Sequence, residues 1–225
     1  MNNALRTSAV ALCATAACAV QAQNWGGPAT FTVGPLSQVG VPTNALVITS
    51  QPNGFVASNT VTVATAPAPV GGLLAVWQLD RPFSLSANTT FFTTSFLDGF
   101  VAPPVGTFGP TGGTLRTYVI DTANNNNIFG GTTSQILITL SNGGTTWVNL
   151  TNNSPSFTLP AYPSYAVRQV FDLDGVYQSG GGGNWVVDVP AGSFLTPVPE
   201  LPTAALLAVG VLALAWRRAA ARPQR

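Results

Sequence analysis

The sequence predicts an all-β protein whose body folds as an antiparallel β-sandwich or jelly roll. A signal helix at the N-terminus and a short transmembrane helix at the C-terminus are expected to flank this body. Two observations predict the body: it contains many short runs of β-branched and aromatic residues, and segments rich in glycine and asparagine separate those runs. No stretch of the body carries a sustained helical period with caps.

The individual strands follow from these runs, which have the length and composition of β-strands. They are expected over residues 45–49, 61–64, 73–79, 114–121, 135–140, 145–150, 166–173 and 185–189. Glycine and asparagine supply the backbone conformations that turns need. Turns are therefore expected at Asn53-Gly54, Asp98-Gly99, Gly112-Gly113, Asp174-Gly175 and residues 124–127, 142–144 and 180–183.

Residues 134–150 form the clearest local unit, because two strand-like runs flank Ser141-Asn142-Gly143-Gly144. This arrangement predicts a β-hairpin. Side chains alternate between the two faces of a strand. One face of the first strand would therefore carry Ile136, Ile138 and Leu140, and one face of the second would carry Thr146, Val148 and Leu150.

Four segments follow from the composition along the chain. We expect a signal peptide over residues 1–22, a β-sandwich domain over residues 23–190, a linker over residues 191–197 and a sorting and anchoring segment over residues 198–225. The proline-containing residues 65–72 are expected to form a loop. The body is long enough to enclose one hydrophobic core.

Charge is scarce, since charged residues make up 7% of the chain and the sequence has no histidine and no lysine. Between residues 24 and 197 there are three arginines and six aspartates, a net charge of −3. Nucleic-acid binding depends on basic residues that neutralise phosphates, so nucleic acid is not expected as a partner. Many aromatic and β-branched residues favour a folded body over a disordered one.

The N-terminus reads as a secretory signal. Arg6 precedes a run of small and apolar residues over 8–20, and Val20-Gln21-Ala22 fits the small-x-small cleavage pattern. Cleavage is therefore predicted between Ala22 and Gln23. Residues 17–19 offer a second cleavage position, and residues 15–18 weakly match a lipoprotein box. Cys13 and Cys18 would leave with the signal peptide, so the mature body would contain no disulfide.

The C-terminus reads as a membrane anchor followed by a basic stop. Residues 203–216 would form an apolar helix of about 21 Å, which is short against a hydrocarbon core of about 30 Å. The arginines would favour the cytoplasmic side, and a short core helix is the alternative interpretation. The predicted anchor includes Thr203, Leu206, Leu207, Val211, Leu214 and Trp216, and the basic stop includes Arg217, Arg218 and Arg222.

The order of Val198-Pro199-Glu200, a short apolar helix and an arginine-rich end resembles the PEP-CTERM sorting signal. Leu201 stands where that family has a second proline, and Pro202 follows it. The resemblance covers the last 28 or so residues and implies recognition by an exosortase-type membrane peptidase. It also implies export in a Gram-negative bacterium, with a precursor anchored in the inner membrane and a product at the cell surface or in the extracellular matrix.

Catalysis is not predicted for the body. Without histidine, lysine or a mature cysteine, the body has no histidine acid–base pair, Schiff-base lysine or thiol nucleophile. Asp172 and Asp174 could form a carboxylate pair or bind Ca²⁺. The simpler interpretation is that Asp172 is a solvated strand residue and Asp174-Gly175 a turn. No metal and no cofactor are predicted.

Binding is favoured over catalysis, because the body has aromatic residues whose flat faces suit sugar rings. These residues are Trp25, Trp77, Trp147, Trp185, Tyr118, Tyr162, Tyr165 and Tyr177. Trp77 and Trp147 lie in apolar runs and are expected in the core, whereas Trp185 is the preferred candidate for glycan contact. A structural or adhesive role at the cell surface leads, a module that binds exopolysaccharide is the alternative, and a polysaccharide hydrolase is third.

Overall fold

Twelve strands, all paired antiparallel, make up the ordered framework of the residues that the structure describes. The structure is a computed structural model, and it describes residues 23–33, 46–64, 72–102, 109–124, 127–140, 145–175 and 184–198. The strands are β1 (Gln23–Trp25), β2 (Thr30–Val33), β3 (Val47–Gln51), β4 (Gly54–Ala64), β5 (Gly72–Leu85), β6 (Thr89–Ala102), β7 (Gly109–Asp121), β8 (Asn127–Leu140), β9 (Thr146–Asn153), β10 (Phe157–Leu159), β11 (Tyr162–Gly175) and β12 (Asn184–Pro197).

The strands form two sheets that share one core. Sheet A has the order β1-β5-β11-β7-β8, with β2 also paired to β5, and sheet B has the order β10-β6-β12-β4-β3, with β9 also paired to β6. The chain crosses from one sheet to the other after β2, β4, β5, β6, β8, β10 and β11, so most neighbours within a sheet are distant in sequence. This alternation is the jelly-roll arrangement. The prediction of an all-β antiparallel sandwich is confirmed.

Alternating burial along the strands builds the core. In β6 the odd-numbered positions from Phe91 to Val101 are buried, while their even-numbered neighbours are partly or fully exposed. Aromatic rings fill the space between the sheets: the centroids of Trp77 and Phe171 lie 4.6 Å apart. Residues Ala22–Val198 form one compact unit around this core.

A belt of buried polar side chains crosses the core from sheet A to sheet B. The indole Nε1 of Trp77 donates to Oε1 of Gln169 at 2.8 Å. The Nε2 of Gln169 donates to the Ala191 carbonyl at 3.1 Å and to Oγ of Ser193 at 2.9 Å. The Ser193 hydroxyl also shares a 2.7 Å hydrogen bond with Oγ1 of Thr117. These bonds fix how the two sheets sit on each other, because a buried polar group without a partner is costly.

Arg81 ties the N-terminal residues to both sheets from a largely buried position. Its guanidinium lies 4.1 Å from the centre of the Trp25 ring and donates to the Gly27 carbonyl at 3.0 Å. It also donates to the carbonyls of Gln51 and Gly54 at the β3–β4 turn. Burial lowers the pKa of Arg81, and these carbonyls and the indole ring compensate for the lost hydration.

The eight predicted strands each overlap an observed strand, and most observed strands are longer. The predicted turn at Asn53-Gly54 is confirmed, because it joins β3 to β4. The turns predicted at Asp98-Gly99, Gly112-Gly113 and Asp174-Gly175 were wrong, since these pairs lie inside β6, β7 and β11. Close backbone contact explains the glycine at one of them: a Cβ at Gly113 would lie 2.5 Å from the Asp172 carbonyl oxygen.

The predicted hairpin over residues 134–150 was also wrong. Strand β8 pairs with β7 in sheet A, whereas β9 pairs with β6 in sheet B. Strands β8 and β9 therefore belong to different sheets and do not form a hairpin, and residues 141–144 lie outside the described residues. The alternation within the second run was correct, because Val148 and Leu150 pack against the core.

The linker predicted over residues 191–197 was wrong, because β12 continues through these residues to Pro197. The strand pairs with β4 on one side and β6 on the other, and the Val198 N–H donates to the Thr90 carbonyl at 2.8 Å. The predicted signal peptide and the tail from Pro199 onward lie outside the described residues. Within the described ranges, no helix is long and apolar enough to cross a membrane.

Candidate functional site

The outer face of sheet B carries a group of aromatic side chains that point away from the core. Alternation along β6 places Phe92, Phe96 and Phe100 on this side, because Phe91, Leu97 and Val101 are buried on the other. Phe194 from β12 and Trp147 from β9 join them. We call these five residues the aromatic face. Trp147 is 75% exposed, and the four phenylalanines are half-buried.

The rings form an elongated strip along β6. Phe92, Phe96 and Phe100 are four residues apart, so about 13 Å separates each from the next and about 26 Å separates the first from the last. Phe96 stacks on Phe194 with ring centroids 5.8 Å apart and planes inclined by 15°. Phe100 meets Trp147 edge to face at 5.5 Å and 64°. The face therefore presents two aromatic pairs and one further ring in line.

Gly192 makes room for the central pair. It lies opposite Phe96 in the β6–β12 ladder. A Cβ at this glycine would lie 1.9 Å from Cε1 of Phe96, so the ring rests directly on the glycine backbone. A larger residue at position 192 would lift the ring and disturb its stacking on Phe194.

Polar side chains lie beside the rings, at paired positions of neighbouring strands. Thr60, Asp188, Phe100 and Trp147 form one row across four neighbouring strands. In this row Oγ1 of Thr60 donates to Oδ1 of Asp188 at 3.0 Å. On the next outward position of β6, Oδ1 of Asp98 accepts from Nδ2 of Asn149 at 3.3 Å. The rings are thus accompanied by two carboxylates, an amide and a hydroxyl.

A strained backbone conformation lies beside this row. Asn59 has a φ of 142°, which side-chain-bearing residues rarely adopt. Its Oδ1 accepts from the Thr60 N–H at 2.9 Å. Strain of this kind is often found at functional sites and persists where the surroundings hold it in place. Here the Asn59 side chain holds the Thr60 backbone, and the Thr60 hydroxyl in turn donates to Asp188.

Charge divides sharply between the two sheets. The strands of sheet B contain two charged residues, Asp98 and Asp188, and both lie on the aromatic face. The three arginines of the described residues are all in sheet A. The aromatic face therefore has negative charge without a cation among the described side chains.

The outer face of sheet A has a different character, because the charged side chains that the structure describes there form ion pairs. Arg168 forms two hydrogen bonds to Asp80, at 2.7 and 2.6 Å, and this bonding raises the pKa of Arg168 above its usual value. Arg116 forms an ion pair with Asp172. These paired side chains hold the sheet together and leave little charge for a ligand.

Two expectations about single residues were wrong. Trp147 was expected in the core, but alternation from Val148 places it outside. Asp172 was expected to be solvated, but it is 3% exposed and paired with Arg116. The core position of Trp77 is confirmed. Trp185 lies on β12 opposite Val63, and its side chain lies outside what the structure describes.

Sequence reasoning missed four of the five residues of the aromatic face. Phe92, Phe96 and Phe100 lie in β6, which was not predicted, and Phe194 lies in the segment expected to be a linker. A signal for them was present. Phenylalanine recurs at every fourth position from residue 92 to 100. Because side chains alternate between the two faces of a strand, residues four positions apart lie on the same face.

Other sites have less support. Among the side chains that the structure describes, no three of aspartate, glutamate, histidine and cysteine come together as metal ligands would. Of the predicted sorting motif, Val198 is the last described residue, and Pro199 and Glu200 lie beyond it. The anchor residues, the basic stop and Ala22 at the cleavage site also lie outside, whereas Gln23 begins β1.

No protein-family model matches the chain, and no curated protein matches it. Several solved structures are distantly similar. One, described as CBM4 structure and function, is 14% identical over 68% of this chain and 78% of that chain, with a TM-score of 0.29. The VP2 protein of infectious bursal disease virus, as a D431N mutant, is 11% identical over 64% of this chain and 31% of its own, with a TM-score of 0.34.

A family 11 carbohydrate-binding module from Clostridium thermocellum, solved with a mixed-linked β-1,3-1,4 tetrasaccharide, is also similar. It is 10% identical over 76% of this chain and 86% of that chain, with a TM-score of 0.20. Similarities this weak do not extend a ligand or an activity to this chain.

Proposed function

We propose that this chain is an exported, non-enzymatic adhesive protein whose jelly-roll body holds polysaccharide on the aromatic face. One observation carries the proposal: five aromatic side chains lie in a strip on the outer face of sheet B, and Trp147 among them is 75% exposed. Contiguous exposed apolar surface is uncommon on soluble proteins and usually marks a place where something binds.

Polysaccharide fits the shape and chemistry of this strip. A pyranose ring has a face rich in C–H groups, which packs against a flat aromatic ring while its hydroxyls stay free at the rim. The hydroxyls then need hydrogen-bonding partners, and Asp98, Asn149 and Asp188 lie beside the rings. A few placed polar groups among apolar ones are typical of ligand sites. The length of the strip suits an extended chain rather than one terminal sugar.

Binding to an insoluble and a soluble polysaccharide panel tests this function. The body, residues 23–198, would be mixed with glucans, chitin, chitosan and a polyuronate, and bound protein would be measured by co-sedimentation and by affinity electrophoresis. We expect Trp147→Ala to weaken binding at least about tenfold, because an exposed tryptophan at a binding surface is a typical hot spot. Circular dichroism should show that the variant remains folded.

Leu137→Ala provides the matched control. Leu137 is 71% exposed but lies on β8 in sheet A, so its removal deletes a comparable exposed apolar group away from the aromatic face. Binding should not change in this variant. Equal loss in both variants, or no loss in either, would contradict the proposed site. Release of reducing ends from a bound polysaccharide would contradict a purely binding role.

The export and sorting part of the proposal rests on the sequence of the two ends. We propose that the chain is cleaved after Ala22 and that an exosortase-type peptidase recognises Val198-Pro199-Glu200 while the tail is in the inner membrane. Glu200→Ala should leave membrane insertion intact and let the uncleaved precursor accumulate. Immunoblots of full-length and processed bands, with and without the peptidase, would test it. A tail that persists in both strains would contradict sorting.

A further inference from the structure

We infer that the polysaccharide bound by the aromatic face carries free amino groups, as glucosamine units do. This inference rests on the proposed function and concerns the choice of ligand at the same site. It follows from the charges that surround the rings: the strands of sheet B have two charged residues, both aspartates, and both lie on this face.

The two carboxylates are placed to meet a ligand that lies on the rings. Asp188 is the cross-strand neighbour of Phe100, and Asp98 lies on β6 between Phe96 and Phe100 on the same side. Asp98 is exposed and Asp188 is partly exposed. A sugar that stacks on either aromatic pair would therefore have a carboxylate near its edge, where its ring substituents project.

Each carboxylate has capacity for another hydrogen bond. Asp98 accepts from Asn149, and Asp188 accepts from Thr60, whereas a carboxylate offers about four lone-pair positions. The two neighbours hold the carboxylates in place without neutralising them. An ammonium group on the ligand would supply both a donor and the missing positive charge, which makes a charge-assisted hydrogen bond.

The same charges act against acidic polysaccharides. A uronic acid stacked on these rings would bring its carboxylate close to Asp98 or Asp188. Among the described residues, Arg81, Arg116 and Arg168 all belong to sheet A, so they are not on this face to offset the repulsion. Specificity often depends on such repulsion as much as on attraction. The affinity of the aromatic face should therefore be highest for amino sugars, lower for neutral sugars and lowest for uronates.

Two hexasaccharides of equal length separate charge from stacking. Isothermal titration would compare the β-1,4-linked hexamer of glucosamine with the hexamer of N-acetylglucosamine, at mildly acidic pH where the free amine is protonated. We expect about fivefold tighter binding of the glucosamine hexamer at low salt, the size expected for two exposed ion pairs. The preference should shrink as salt is added.

Variants then assign the preference to the two aspartates. The double variant Asp98→Asn/Asp188→Asn should lose the preference while still binding the acetylated hexamer. Asp174→Asn, which removes one charge from sheet A, should keep the preference. Trp147→Ala should weaken binding of both hexamers, which shows that the glucosamine hexamer is held by the rings and not by charge alone.

The possible results distinguish the inference from the function on which it rests. Equal affinity for the two hexamers in the natural protein would overturn the inference and leave polysaccharide binding intact. A preference that survives in the double variant would also overturn it. If neither hexamer nor any polysaccharide of the panel binds, both the inference and the proposed function fail.

Discussion

Replacing Gln169 by leucine should destabilise the body by about 2–4 kcal/mol. Gln169 accepts from Trp77 Nε1 and donates to the Ala191 carbonyl and the Ser193 hydroxyl, all within the core. Leucine is close in size but makes none of these bonds. Each buried group left without a partner costs about 1–3 kcal/mol, and burial of the leucine side chain offsets part of that loss.

Urea denaturation followed by circular dichroism would measure the effect. With a slope of about 2 kcal/mol/M for a domain of this size, a loss of 3 kcal/mol lowers the midpoint by about 1.5 M. A loss this large is a substantial share of the 5–15 kcal/mol or so that stabilises a typical domain. The slope itself should not change, since the folded state should remain equally compact.

A double-mutant cycle with Trp77→Phe isolates the hydrogen bond between the two side chains. Trp77→Phe alone leaves the side-chain oxygen of Gln169, Oε1, without its donor, whereas the double variant removes both polar partners. The double variant should therefore lose about 0.5–3 kcal/mol less than the sum of the single losses. Strictly additive losses would refute the view that the buried hydrogen bond between Trp77 and Gln169, which joins β5 to β11 within sheet A, contributes to stability.

Other predictions concern single positions. Gly54→Ala should cost about 3 kcal/mol of stability, because its Cβ would lie 2.0 Å from the Ser193 carbonyl oxygen. Gly192→Ala should cost about 1 kcal/mol, because the Phe96 ring can swing into solvent, but it should weaken polysaccharide binding; urea midpoints and co-sedimentation would check both. Burial raises the pKa of Tyr165, so the unfolded chain ionises first, at about pH 10, and stability falls as pH rises above that value. Urea midpoints at successive alkaline pH values should fall less steeply for Tyr165→Phe, and equal slopes would contradict this assignment.

The sequence could predict the fold class because the buried strands are rich in β-branched and aromatic residues. Strands such as β7 and β11 place Val119, Val167 and Phe171 in the core, and their runs are plain in the sequence. The order of the strands could not be predicted in the same way. A four-residue segment such as residues 141–144 can close a hairpin or cross between sheets, and only the long-range pairing of β8 and β9 decides which.

The functional surface was harder to predict, because both faces of β6 mix polar and apolar residues. Its inward positions include Thr93 and Ser95 as well as Leu97, while its outward positions include Phe96 and Phe100 as well as Asp98. Such a strand lacks the clear alternation of apolar and polar residues by which a half-buried strand is recognised. The residues that made the strand hard to recognise are therefore those that give the aromatic face its character.

Trp147 and the end of β12 show two further limits. Trp147 follows the alternation of its strand, but an apolar run suggests burial on both faces unless the strand's position in the sheet is known. Residues 191–197 contain proline and glycine, which suggests a linker. In the fold Gly192 instead lies under the Phe96 ring, where a side chain would not fit.

Hydroxyl-radical footprinting tests most directly whether the aromatic face contacts polysaccharide. The body would be oxidised briefly with and without a saturating polysaccharide from the panel, and the modified residues would be quantified by mass spectrometry. Trp147 and Phe100 should lose reactivity in the complex, since ligand would cover both rings. Leu137, which is 71% exposed on sheet A, should react equally in both samples. Protection of Leu137 with unchanged oxidation of Trp147 would contradict the account, because the ligand would then lie on the other sheet.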